Sequence, residues 1–355
     1  MKKIISVVLI IALCLFPVQQ VKAEEIETEV SEIAVELLVS ALNHNEYFNL
    51  PDLQGKELYL CNPVTPYFLD GNTLQANQEV EYYLVKAEDE YIACITLCYK
   101  DGTAISAALN TEIASMLNDN LNDDGFLIIV NEGRLYLRTE QGITEVSNIS
   151  RKDMKISSKD VCFISIANEA QWNPCHLVAK EKILLPSAGT ISPRSSRILS
   201  VPYVSQGDYD LCWAAAAAAL GRYYTGDTYS QYSSYALASI VGVGNNGAGI
   251  DKAREILETV FHISTIYVAS QMSTHTIVTN INEGRPIMVG FSNSTVGHMV
   301  VLCGFDDSGE NMQYYVRDSN TPSMQIVMAL YSDGPIVMDY YSGLTMYWNE
   351  AAYKN

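Results

Sequence analysis

Cys212 and His298 are the side chains of this sequence whose types and settings best suit bond-making chemistry. Cys212 closes the stretch Gln206-Gly-Asp-Tyr-Asp-Leu-Cys212 and is followed by Trp213, the alanine run Ala214 to Ala219, Leu220, Gly221 and Arg222. Alanine has the highest helix propensity, so residues 212–223 are predicted to form a helix that starts at the cysteine, after a loop rich in Gly and Asp. The N-terminus of a helix offers unpaired N–H groups and the positive end of the macrodipole. Both favour thiolate over thiol, and the thiolate is the nucleophile. A cysteine in apolar surroundings is also a common inert core residue, so a partner base has to decide between the two readings.

His298 supplies that base. It opens Gly297-His-Met-Val-Val-Leu-Cys-Gly-Phe305, the return strand of a predicted hairpin whose first strand is Arg285 to Phe291 and whose turn is Ser292 to Gly297. This places the imidazole at a sheet end, facing the turn. A further strand, 312–316, delivers Arg317, Asp318, Ser319 and Asn320. Asp318 can orient the imidazole by accepting from its ring N–H, with Asn320 as the alternative. His262 and His275 have no companion strand of this kind and are read as ordinary residues.

Thiolate attack on a carbonyl leaves an oxyanion, which the side-chain amide of Gln206 and the backbone N–H of Cys212 can stabilise. His298 then protonates the leaving amine and activates the water that resolves the acyl-enzyme. The same acyl-enzyme could pass to an amine, as in transglutaminase-like transfer. An exported binding protein without catalysis is the remaining alternative, and the complete set of four residues speaks against it. None of this chemistry calls for a metal or a cofactor.

The elements around the set fix its setting. The chain has 355 residues, with 41 acidic against 22 basic side chains and a net charge of −19. It has no basic run beyond its first residues, which excludes a nucleic-acid partner. Lys2 and Lys3, the apolar run Ile4 to Val18 and the ending Val21-Lys22-Ala23 read as a signal peptide over 1–23. The run is shorter than the ~20 residues of a membrane helix, so the expectation is a secreted protein with no membrane contact after the signal is removed. After an acidic, helix-permissive stretch over 24–42, residues up to 185 alternate short strands with turns: 81–85, 91–99, 126–130 and 134–138 are predicted strands and 107–117 an amphipathic helix. This is a mixed, mainly antiparallel β domain. Residues 186–197, rich in Pro, Gly and Ser and holding Arg194 and Arg197, read as an exposed linker open to proteolysis. Residues 198–355 then form the domain that carries the chemistry.

Other signals are set aside. Eight cysteines occur, one of them, Cys14, inside the signal, and no CxxC pair supports a zinc or thioredoxin-type site; Cys303 reads as buried and free. Gly242-Val-Gly-Asn-Asn-Gly247 matches GxGxxG but follows a helical segment rather than a strand. Asn120 to Gly125 resembles the opening of a calcium loop, yet Asn131 stands where the bidentate Glu belongs. Sequons at Asn148 and Asn293 matter only in a eukaryote.

The ordered set Gln206, Cys212-Trp-Ala, Gly297-His298 and an Asp after the next strand resembles the papain-like cysteine peptidases. The resemblance is to the compact bacterial type, similar to staphopains and bacteriocin-processing-peptidase-like proteins, and spans about Val201 to Pro322. It implies an α+β domain with a central Cys-bearing helix packed on an antiparallel sheet, and a protein or peptide substrate. It further implies Cys212 as nucleophile, His298 as base, Gln206 in the oxyanion hole and Asp318 as third member. Papain has Asn followed by Ser and Trp at that last position, where this chain has Asp318-Ser-Asn320. Secreted relatives commonly carry an N-terminal propeptide. Residues 24–185 are therefore expected to pack on the peptidase domain until a cut near Arg194 or Arg197.

Overall fold

The computed structural model describes residues 30–53, 55–70, 73–120, 125–131, 134–145, 166–167, 174–185, 195–207, 209–226, 232–293, 296–330, 334–339 and 345–355. The expected signal peptide, Arg194 and residues 186–194 of the expected linker lie outside them, as do Cys162 and the sequon at Asn148.

Two helices open the described chain, α1 (30–43) and α2 (Asn45–Phe48). They lead into β1 (Leu58–Cys61), β2 (Tyr67–Asp70), β3 (Thr73–Ala76), β4 (Val80–Ala87), β5 (Glu90–Lys100) and β6 (Thr103–Asn110), then α3 (Glu112–Asn120). Next come β7 (Leu127–Asn131), β8 (Arg134–Thr139), β9 (Gly142–Glu145) and β10 (Ala179–Ile183). The later part runs β11 (Ser196–Ile198), α4 (Cys212–Thr225), α5 (Ser234–Ile240), α6 (Ile250–Thr259), β12 (Thr265–Val268) and α7 (Thr274–Asn282). It closes with β13 (Ile287–Ser292), β14 (Gly297–Asp306), β15 (Gln313–Arg317), β16 (Met324–Ala329), β17 (Val337–Asp339) and β18 (Thr345–Lys354).

Thirteen of these strands join in one antiparallel sheet, with the main order β10-β1-β4-β5-β6-β16-β15-β14-β13-β18-β12. The sheet crosses from the first part of the chain to the second at β6 and β16, where Leu109, Ala108, Ala107 and Ser106 face Ile326, Val327, Met328 and Ala329. A smaller sheet, β3-β2-β7-β8-β9, stands apart. One hydrophobic core runs through both parts: Leu37, Leu38 and Phe48 belong to the same buried cluster as Trp213, Leu302 and Tyr315.

Two sequence expectations shift. The helix predicted over 107–117 begins later, because Ala107 to Asn110 are the end of β6. Pairing with β5 on one side and β16 on the other outweighs the helix propensity of the alanines. Asn110 Oδ1 instead caps the helix that follows, accepting from Ile113 N at 3.1 Å. The expected exposed linker, 186–197, ends inside the fold: Ser196–Ile198 pairs with Gly304 to Asp306, and Arg197 donates through Nη1 to Asn282 O at 2.6 Å. Gly304 makes this docking possible, since a Cβ there would lie 2.7 Å from Arg197 O.

Candidate active site

α4 begins at Cys212, as the alanine run predicts. Residues Trp213 to Gly221 are all buried, because methyl-sized side chains let the helix lie close against its neighbours, α6 and β14. Phe261 lies so near Gly221 that an added Cβ would sit 2.5 Å from its ring. Trp213 is fully buried and its indole N–H donates to Asn246 O at 3.1 Å, tying the 242–247 loop to the start of α4. The N-cap, Leu211, offers no side-chain cap, and the helical ladder opens with Ala215 N donating to Leu211 O. The N–H groups of the first turn therefore remain directed at whatever lies in front of Cys212.

The hairpin and the strand after it bring the other members together. β13 and β14 pair from Ile287↔Leu302 to Ser292↔Gly297, and His298 sits at the beginning of β14, buried. β15 runs antiparallel to β14 and ends at Arg317, next to Asp318. His298 Nε2 lies 3.0 Å from Asp318 Oδ1, and Asp318 is fully buried. Cys212 hydrogen-bonds the same imidazole. With Nε2 on Asp318, Nδ1 is the ring nitrogen that remains for the thiol. Burial alone would lower the His298 pKa. The Asp318 charge and hydrogen bond, followed by Cys212, act the opposite way and prevail, raising it to about 10. Asn320 takes a different place: its backbone N–H donates to Asp318 Oδ1 at 2.9 Å.

Gln206 is buried on the same side. Its Nε2 donates to Tyr209 O at 3.0 Å, and its Oε1 accepts from Ser319 Oγ at 2.8 Å. Its backbone N–H donates to Ser319 O at 3.2 Å, a carbonyl that also accepts from Tyr203 OH. Ser319 thus fixes which end of the amide faces the loop before Cys212. That role has no signature in the sequence, because the serine stands 113 positions from the glutamine it orients. Cys303, in contrast, is an inert core thiol: burial pushes its pKa up to about 12. Of the predicted set, Cys212, His298 and Asp318 are brought together, and Gln206 is joined to the segment after Asp318 through Ser319. Arg197 lies on β11, and His262 and His275 lie on other elements.

Comparisons with known proteins bear on the part of the chain that holds these residues. Residues 198–351 match the model of the Peptidase_C39 like family. Among solved structures, a C39-like peptidase from Bacillus anthracis aligns at 15% identity and TM-score 0.30, covering 39% of this chain and 100% of that one. UfSP from C. elegans aligns at 13% identity and TM-score 0.28, covering 42% and 36%. A search of curated proteins returned no match. The family match over residues 198–351 supports a papain-like cysteine peptidase domain in this part of the chain.

Proposed function

We propose that the chain is an exported cysteine endopeptidase that works through Cys212, His298 and Asp318. The observation that carries the reading is the contact of 3.0 Å between His298 Nε2 and Asp318 Oδ1, with Cys212 on the same imidazole and at the head of α4. Cys212 Sγ attacks the scissile carbonyl of a protein or peptide, and the C–S bond forms as the carbonyl electrons move to oxygen. The Gln206 amide and the Cys212 N–H receive that oxyanion. His298, held as imidazolium, gives its proton to the leaving nitrogen as the C–N bond breaks, then takes one from the water that hydrolyses the thioester. Asp318 keeps the ring oriented and compensates its charge.

Export is supported by the lysine, apolar and small-residue pattern of residues 1–23. Among the described residues no helix is long and apolar enough to cross a membrane. Processing within 186–197 completes the proposal. A cut after Arg194 is favoured over one after Arg197, because Arg197 is paired in β11 and its guanidinium is engaged by Asn282. Hydrolysis of an unstructured protein substrate by the wild type, and its loss in Cys212→Ala with the fold intact, is the test. Turnover that survives the substitution removes the assignment.

A further inference from the structure

We propose that residues 30–185 are not shed when the chain is processed but stay as a permanent part of the enzyme, and that Glu112 is a positioning residue for the loop that carries Asp318. The second half of this inference rests on the reading of Asp318 given above.

The two parts are joined as the layers of one domain are. β6 continues the peptidase sheet beyond β16, so Ile326, Val327 and Met328 lie in the middle of a sheet and not on its edge. Without β6 their strand would present unpaired backbone and apolar side chains to water, an arrangement prone to aggregation. α1 and α2 pack on Tyr315 of β15, on Asp306 at the end of β14 and on β16. The Tyr315 ring is packed by His44 at 5.3 Å and Phe48 at 6.0 Å between ring centres, and its hydroxyl meets Ser40 Oγ. Ser40 Oγ also donates to the buried Asp306 carboxylate at 3.0 Å. Glu36 accepts from Asn311 N and Nδ2, and its carboxylate lies so close to Gly309 that a Cβ there would require the Glu36 side chain to shift. Removing residues 30–185 would strip Asp306 of one of its buried donors, a loss costly for a carboxylate held away from water.

Glu112, in the first turn of α3, reaches the catalytic loop. Its Oε1 accepts from Thr321 Oγ1 at 2.7 Å, and Thr321 is buried three positions after Asp318. Thr321 Oγ1 in turn accepts from Ser323 N, and Arg317 donates to Pro322 O. The loop 318–323 is thus tied at one end to Gln206 through Ser319 and at the other to Glu112 and β16. The part of the chain expected to inhibit and leave is instead built into the support of the catalytic carboxylate.

Two experiments decide it. A site for a sequence-specific protease is placed within 186–194 of the full chain carrying Cys212→Ala, the chain is cut, and the products are passed over a sizing column. Co-elution as one species of the uncut size is expected. Separation of the fragments, or co-elution only as an aggregate, overturns permanent association, and because the variant is inert the result is independent of any catalysis by Cys212. In the full chain with Cys212 intact, Glu112→Ala is expected to lower kcat about tenfold, the value of one hydrogen bond to a charged group, with KM within about twofold. Glu112→Gln, which retains an acceptor oxygen, should restore most of it. An unchanged kcat in Glu112→Ala, or a Gln variant as slow as the Ala variant, overturns the positioning role. The first experiment fails only if the association is wrong, whereas absence of peptidase activity in the wild type would count against the proposed function.

Discussion

Replacing Asp318 by Ala should lower kcat/KM by roughly 30- to 150-fold, the equivalent of about 2–3 kcal/mol. The magnitude follows from a single contact, His298 Nε2 to Asp318 Oδ1 at 3.0 Å. Coulomb attraction at that distance and an effective dielectric constant of about 20 would be near 5 kcal/mol, but part of it offsets the cost of burying the carboxylate. The figure for a hydrogen bond between charged partners is therefore the better guide. Alanine also leaves the Asn320 N–H without its acceptor, which loosens the turn that follows. Asp318→Asn keeps the shape and one acceptor oxygen but loses the charge and turns the second oxygen into an NH2 donor, so its activity should fall between the two. The assay is steady-state hydrolysis of a fluorogenic peptide by the wild type, both Asp318 variants and Asn320→Ala, each checked to be fully folded at the assay temperature. Asn320→Ala should remain within about threefold of the wild type, because Asn320 contributes to the site through its backbone. The reasoning is refuted if Asp318→Ala keeps nearly full activity while Asn320→Ala loses it.

Gln206→Ala removes an oxyanion donor worth about 3 kcal/mol, so kcat should drop on the order of 100-fold with little change in KM; a fall confined to KM in peptide kinetics would assign Gln206 to substrate binding instead. The pKa of His298 is raised from 6.5 to about 10 in the fold, so its charged form stabilises the native state fully below about pH 6.5, and this contribution is lost as pH rises toward 10. Thermal melts of the wild type should therefore weaken between those values more steeply than those of His298→Gln, and parallel curves would contradict the ion pair. Gly221→Ala gains helix propensity of about 1 kcal/mol but drives a methyl group into the Phe261 ring, and overpacking of this kind costs about 1–3 kcal/mol. A lower melting temperature is expected, and a higher one would show that Phe261 moves aside freely.

Cys212, His298 and Asp318 of the candidate site could be picked out in the sequence because each stands at an element boundary that local rules predict. The alanine run starts a helix at Cys212, the Ser292 to Gly297 turn starts a strand beside His298, and the third strand ends just before Asp318. What local rules could not reach were relations across the chain. Ser319 orients Gln206 through a side-chain contact between distant segments, and Glu112 supports the catalytic loop from a strand-and-helix unit that looks self-contained in the sequence. The misplaced helix at 107–117 has the same origin. Ala107 and Ala108 read as helix formers, and only the strands beside them, one of them more than 200 residues away, make them β. Arg197 looked like part of a free linker because Pro, Gly and Ser precede it, while the glycine that accepts its strand, Gly304, is remote.

The most direct test of the central claim is to titrate peptide hydrolysis by the purified chain with a thiol-alkylating reagent at neutral pH and to map the label by mass spectrometry. Turnover should fall in proportion to the label on Cys212, while Cys303, whose buried thiol is pushed up to about 12, stays unmodified in the folded chain. Undiminished hydrolysis by molecules fully labelled at Cys212 would contradict the assignment of this residue as the nucleophile.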